Sequence, residues 1–474
     1  MLLLCVTLLG IVPRKVDAQP AEEKVQALFV SDVHFDPFWD PNKVTRLAAA
    51  PVTQWPSIAA APASPNRQQA FDALEQACPA RGLDTSYALL QSSINAMKAH
   101  GAGTRFILLS GDLMAHGFDC KYRKLLPGAS AEDYRAFTEK TIRFVMQQLN
   151  GVARGVPVYA ALGNNDSDCG DYRIDANSAF LQDLGPTFTQ GISRRERGEA
   201  LRSFSAGGNY SVMLPAPMQN TRLIVLEDVF FSAKRTSCSG KPDKADQDAQ
   251  LAWLKQELEE ARTAKQRVWI MGHIPPGVDA YKTLAHLSGA CGRPPLMMLS
   301  SDALAETLTG ASDVVALAIF GHTHEDEIKL LRREPSDGSE GIPVKIIPAI
   351  SPINGNLPSF TVAQIDPATA TLVNYAVIAG SERVPWAEQY DYAKSYGESS
   401  FSAAAVKDLV AKFAADSDSK TPASEKYIHH FVIGNPIPLL SLVWPQYVCT
   451  MMHESAKGFT LCACPARNSE PQTR

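Results

Sequence analysis

Five short apolar runs, each followed at once by aspartate, asparagine or histidine, limit what this chain can fold into more than any other feature. The runs occupy residues 25–30, 106–109, 156–162, 268–271 and 314–320. Near-continuous apolarity over so few residues predicts strands buried on both faces, as in sheets covered by helices. Helical patterns fall between them at 85–100, 131–150 and 248–266, and alternating strand and helix predicts an α/β sandwich. Further strands are expected at 209–214, 223–227, 344–350, 360–365 and 372–378.

The polar clusters are Asp32 with His34, Gly111-Asp112 with His116, Gly163-Asn164-Asn165-Asp166, Gly272-His273, and Gly321-His322 with His324. In open α/β sheets, sites form beyond the carboxyl ends of strands, where several loops converge. Alternation along an extended segment would turn Asp32 and His34 to one side, and His322 and His324 likewise. Glycine ahead of a ligand lets backbone approach a bound ion closely. Imidazoles, carboxylates and one amide oxygen suit borderline divalent ions, and Asp112, central in the set, is the expected shared ligand. Two such ions roughly 3.5–4 Å apart can hold a bridging hydroxide and clamp phosphoryl oxygens for in-line displacement. Any one of these clusters alone is ordinarily a solvated turn. Five of them, each after a buried-strand pattern, are not.

The bulk composition narrows the partners. A net charge of −5 and a pI near 6.1 give no general pull toward nucleic acid or anionic membrane. A phosphate-bearing substrate must therefore be drawn by a local positive site. The apolar run 2–12, with Val16 and Ala18 behind it, reads as a signal peptide over 1–18, so a secreted or periplasmic protein is expected. Arg14 and Lys15 follow that run, where a signal peptide carries its basic residues in front. Nine cysteines less Cys5 leave eight, with no Cys-x-x-Cys, which points to disulfides rather than a zinc ribbon. Cys462 and Cys464 flank one residue and are expected to pair outward. Residues 36–84 and 167–207 read as loop-like insertions, the first over the mouth of the site. A catalytic domain is expected over 19–384, and a helical, disulfide-stapled extension over 385–474.

The ordered set resembles the calcineurin-like metallophosphoesterase superfamily. The stretches 31–36, 272–277 and 321–326 are similar to its acid sphingomyelinase-like phosphodiesterase branch. That resemblance implies a four-layer α/β/β/α sandwich and two divalent metal ions, zinc first, with manganese or iron as alternatives. It assigns one ion to Asp32, His34, Asp112 and His324, and the other to Asp112, Asn164, His273 and His322. It makes His116 a substrate contact that protonates the leaving group. Asn165 stands where the family usually carries histidine, as in endopolyphosphatase-like relatives. An amide can donate a hydrogen bond to substrate there but cannot transfer a proton. The implied substrate is a phosphate-containing small molecule or polymer: nucleotide-like, polyphosphate or a phospholipid head group. A purple acid phosphatase would need tyrosine at 115, which is Ala115. A sphingomyelin phosphodiesterase acting at membranes is the alternative, with Phe35, Pro37, Phe38 and Trp39 as its docking residues. A non-catalytic scaffold would have lost ligands, and all seven positions are filled.

Overall fold

Buried apolar strands pair into two sheets because each must cover both faces and satisfy its backbone polar groups. In the computed structural model, which describes residues 24–464 apart from 81, 242–243, 286–290, 292, 334–340 and 436–438, the strands are β1 Val25–Val30, β2 Thr104–Leu109, β3 Val158–Ala160, β4 Tyr210–Met213, β5 Thr221–Val225 and β6 Arg267–Met271. They continue as β7 Val315–Phe320, β8 Glu327–Leu331, β9 Ile342–Ile346, β10 Ser359–Asp366, β11 Thr371–Ala379 and β12 Ala387–Asp391. The expected signal peptide lies outside the described residues.

One sheet runs β12-β11-β10-β1-β2-β3 and the other β4-β5-β6-β7-β9-β8. β1, β2 and β3 are parallel neighbours, as are β5, β6, β7 and β9, so their carboxyl ends gather along one edge of each sheet. Trp269 of β6 fills the space between the sheets, edge-on to Phe29 and Phe106 at 6.1 Å each. Its indole nitrogen donates to the Ala370 carbonyl, so the buried N–H is satisfied. Tyr210 of β4 exchanges two hydrogen bonds with the backbone of Ala160, which closes the β3 edge. The helices Tyr87–His100 and Ala131–Asn150 pack on the first sheet, and Ala245–Thr263 on the second. The mixed α/β sandwich stands as expected.

Two segments differ from expectation. Residues 36–84 form short helices, Val44–Ala49, Trp55–Ala60 and Arg67–Ala77. Residues 167–207 form Ala179–Phe188 and Arg197–Gly207. Loop-like composition misled there because Pro56 sits in a first helical turn, where its missing N–H costs nothing, and Gly208 is the left-handed residue that ends a helix. Phe35 and Phe38 are buried against Phe144, Phe118 and Phe137, and Trp39 packs on Phe71 under the Arg67 guanidinium. These aromatics hold the first insertion to the core and offer no membrane-docking patch. No helix among the described residues is long and apolar enough to cross a membrane.

Beyond β12, helices Ala403–Ala415, Pro422–Phe431, Trp444–Met452 and Ala456–Ala463 pack together, three of them capped by Ser402, Thr421 and Ser455. Four disulfides join Cys78 to Cys120, Cys169 to Cys238, Cys291 to Cys464 and Cys449 to Cys462. Cys462 and Cys464 both pair outward, one within the C-terminal helices and one to the core.

Candidate metal centre

The loops that leave β1, β2, β3, β6 and β7 meet between the two sheets. The side chains at 32 and 34, and at 322 and 324, do face one pocket, but not through extended backbone. Asp32, His34, Asp112, His322 and His324 have φ of 48°, 42°, 54°, 74° and 69°. Left-handed backbone at five non-glycine residues is unfavourable, and such strain collects at functional sites. Neighbouring loops hold it in place: Asp32 N–H donates to Gly111 C=O, His34 N–H to Asp112 C=O and Gly321 N–H to His273 C=O. The loops approach so closely that a Cβ at Gly321 would sit 1.9 Å from Ser31 Oγ, and one at Gly163 2.2 Å from Asp112 Oδ1.

Asp112 is central. Its Oδ2 lies 3.4 Å from His34 Nε2 and 3.2 Å from His273 Nε2, so one oxygen faces both halves of the pocket. In the first half, His324 Nε2 is 3.2 Å from His34 Nε2 and 3.3 Å from Asp32 Oδ1. In the second, His273 Nε2 is 3.2 Å from Asn164 Oδ1 and 3.3 Å from His322 Nδ1. His34 Nδ1 lies 2.7 Å from the Met114 carbonyl and His273 Nδ1 2.7 Å from that of Ser110. Carbonyls accept only from N–H, so each ring turns a bare Nε2 inward when neutral. Asp32 Oδ2 is taken by Ser31 Oγ and the His322 N–H, while its buried Oδ1 has no hydrogen-bond partner. Imidazole nitrogens crowded on one another and around an orphaned carboxylate oxygen are poor hydrogen-bond chemistry and good cation chemistry. The residues fit two divalent ions, and all seven expected ligands are within this pocket.

The electrostatics agree. Burial opposes charge on His34 and His273, yet the carboxylates around them, Asp112 foremost, together outweigh it and push them up to about 9 and about 10. Burial brings His322 down to about 3 and His324 to about 4. Against the same burial penalty, His273 and His34 hold the Asp112 carboxyl well below the usual carboxylate range.

His116 is half-buried and stacks on His34 at 4.0 Å, at the rim of the first half. Its Nδ1 meets Asp84 Oδ1 at 3.1 Å and its backbone N–H donates to Asp84 Oδ2 at 2.8 Å, leaving Nε2 free. Asp84 also accepts from Ser351 Oγ, and although burial disfavours its charge, His116 holds its carboxyl low. Asn165 braces the central aspartate twice, with its backbone N–H on Asp112 Oδ1 and one Nδ2–H on Asp112 Oδ2, 2.9 Å each.

Several supporting residues escaped the sequence reading. Asp171 accepts from Asn164 Nδ2 at 2.7 Å, which turns the Asn164 oxygen toward His273. Asp166 accepts from Leu113, Met114 and Gly163 N–H and welds two ligand loops together. Burial, then Asp112, pushes it up to about 7. Asp228 accepts from His273 and Ile274 N–H. Asp166 stood inside a quoted motif, and its place just after ligands was the available signal; Asp84, Asp171 and Asp228 had none.

A fold with ligand loops gathered in this way defines a hydrolase of phosphoric esters. A model of the calcineurin-like phosphoesterase family matches residues 26–326, and the chain belongs to that family. Acid sphingomyelinase-like phosphodiesterase 3b of Homo sapiens is 26% identical over 80% of this chain and 80% of its own. Cyclic GMP-AMP phosphodiesterase SMPDL3A of Rattus norvegicus is 24% identical over 74% of this chain and 75% of its own. Sphingomyelinase phosphodiesterase C of Dictyostelium discoideum is 26% identical over 57% of this chain, a match spanning about half (54%) of that relative's length. The chain thus falls beside the acid sphingomyelinase-like branch.

Proposed function

We propose that this chain is an exported phosphodiesterase-type hydrolase that needs two divalent metal ions, zinc first, and cleaves phosphodiester or phosphoanhydride bonds. The observation that carries the reading is the pocket around Asp112 Oδ2, where imidazole Nε2 atoms and the partnerless Asp32 Oδ1 converge. Asp32, His34, Asp112 and His324 would hold one ion, and Asp112, Asn164, His273 and His322 the other. Bound there, the ions supply Lewis acidity and a water acidic enough to attack at neutral pH.

The chain's own groups do the rest. Asp112, steadied by two hydrogen bonds from Asn165, keeps the two halves in register. Hydrolysis forms a bond from water oxygen to phosphorus and breaks the phosphorus–oxygen bond to the leaving group, which departs with the electron pair. His116 Nε2 protonates that leaving oxygen, while Asp84 fixes the ring through Nδ1. The attacking water's proton passes to solvent. Four disulfides support an oxidising compartment and hence export. With Phe35 and Phe38 buried, nothing in this loop favours action at a membrane.

The test is a panel of sphingomyelin, phosphocholine, nucleotide di- and triphosphates, polyphosphate and bis-nitrophenyl phosphate, with the purified protein and zinc. Zinc-dependent turnover of bis-nitrophenyl phosphate and at least one natural class is expected. Binding of zinc without turnover of any member would contradict the reading.

A further inference from the structure

A cationic side chain stands beside the second half of the pocket with no carboxylate of its own. Lys234 Nζ donates to Tyr172 Oη at 3.0 Å and lies 4.3 Å from the centre of that ring. Tyr172 Oη in turn lies 3.3 Å from His322 Nε2, so the ammonium is two hydrogen-bond lengths from a candidate ligand. Among the described residues no carboxylate pairs with Lys234. The two acids near it are engaged elsewhere, Asp171 by the Asn164 amide at 2.7 Å and Asp279 by Lys282 at 2.5 Å. Burial lowers the Lys234 ammonium from its ordinary value and Lys282 presses the same way, against Asp171 and Asp279.

The arrangement is built, not incidental. The Cys169–Cys238 disulfide joins the two segments that carry Tyr172 and Lys234, and Thr236 N–H donates to Tyr172 C=O between them. Tyr172 N–H donates to Asn164 C=O, and Tyr172 sits at φ 57°, a conformation tyrosine rarely adopts. With His322 facing the pocket through Nδ1, its Nε2–H donates to the phenol oxygen, as Lys234 does. Both lone pairs of that oxygen are then used, and the phenol hydrogen is left to donate outward beside the ammonium. Two donors, one charged, at the edge of a phosphoryl-binding pocket are suited to an anion attached to the substrate.

We propose that Lys234 and Tyr172 form a subsite for a second phosphoryl group, joined through an anhydride oxygen to the scissile phosphorus. This rests on the metal-dependent phosphoesterase reading of the pocket. It makes the preferred substrate class a phosphoanhydride, in which water adds to one phosphorus, the anhydride bond to it breaks, and the departing phosphate keeps the electron pair. Such a leaving group needs little acid help, in keeping with an amide at Asn165.

The experiment compares wild type, Lys234→Met, Lys234→Arg and Tyr172→Phe, all zinc-loaded. Calorimetry measures binding of methylenediphosphonate, which cannot be hydrolysed, against methylphosphonate; kinetics compare tripolyphosphate with bis-nitrophenyl phosphate. Wild type should bind the diphosphonate more tightly. Lys234→Met should lose about tenfold or more of that preference, and a similar factor in the ratio of the two kcat/KM values, with Lys234→Arg retaining most of both. Tyr172→Phe should lose a smaller part. Equal affinity of wild type for the two phosphonates, or equal losses on both substrates in Lys234→Met, would overturn the subsite and place the lysine on the scissile phosphate alone. Wild type that cleaves bis-nitrophenyl phosphate but not tripolyphosphate also overturns it. Wild type inactive on both overturns the phosphoesterase reading itself.

Discussion

At the scale of single residues, the contrast between His116 and Asn165 decides what chemistry the pocket can run. His116 is aimed by Asp84 and can move a proton at Nε2, whereas Asn165 braces Asp112 and has only amide N–H groups, which cannot transfer one. His116→Ala should slow an alkyl phosphodiester on the order of a hundred-fold while slowing a nitrophenyl ester far less, because only the poor leaving group needs a proton. Equal losses on both esters with metal content intact would show that His116 merely orders the loop. Asn165→Ala should cost both esters alike and loosen metal, because Asp112 Oδ2 loses its side-chain donor while the backbone N–H to Oδ1 stays. The imidazoles supply a second expectation. His34 and His273, raised to about 9 and about 10, are protonated at neutral pH in the metal-free protein and must be neutral to ligate. Metal uptake should therefore release protons, and apparent affinity should rise with pH until those values are passed. Calorimetry in buffers of different ionisation enthalpy reads this directly, and uptake without proton release would contradict it. All the ligand-type residues were legible in the sequence because each follows a strand within a few positions. Asp84 was not, since it reaches His116 from an insertion 32 residues earlier and its role exists only in three dimensions.

At the scale of elements, the parallel strands and their ligand loops were readable because buried strands leave an unbroken apolar trace. β8 and β12 left none. β8 buries Glu327 and Lys329 among apolar residues, and β12 is a charged, mostly exposed edge, as edge strands tend to be. The helices of the first insertion were hidden by small residues and proline, and what anchors them is a buried ion triad. Lys121 of the helix Phe118–Leu125 reaches Asp36 at 3.1 Å and Glu75 at 2.6 Å. Lys121→Met would leave Asp36 buried beside an apolar side chain, and the expected loss of stability is about 3–5 kcal/mol. Chemical denaturation measures it; a loss under about 1 kcal/mol would mean the triad contributes little beyond packing. Gly321→Ala, with its Cβ driven against Ser31 and Asp32, should preserve the sheets by circular dichroism yet lower metal affinity.

At the scale of the whole molecule, four disulfides staple loops and helices outside the two sheets, and the widest, Cys291–Cys464, spans 173 residues to hold the C-terminal helices on the core. Removing it through Cys291→Ser with Cys464→Ser should cost about 2–5 kcal/mol, seen as a lower Tm. An even cysteine count was visible in the sequence; the pairing was not, because it depends on which loops the sheets bring together. The two sheets matter to function through one arrangement, the meeting of β1, β2 and β3 loops with those of β6 and β7 around Asp112. The most direct test is metal content per chain, by elemental analysis alongside bis-nitrophenyl phosphate turnover, for wild type and Asp112→Asn. Two ions per wild-type chain are expected, with Asp112→Asn binding less than one tightly and losing turnover. Two tightly held ions in Asp112→Asn, or full turnover by metal-stripped wild type, would contradict a centre built on that shared carboxylate.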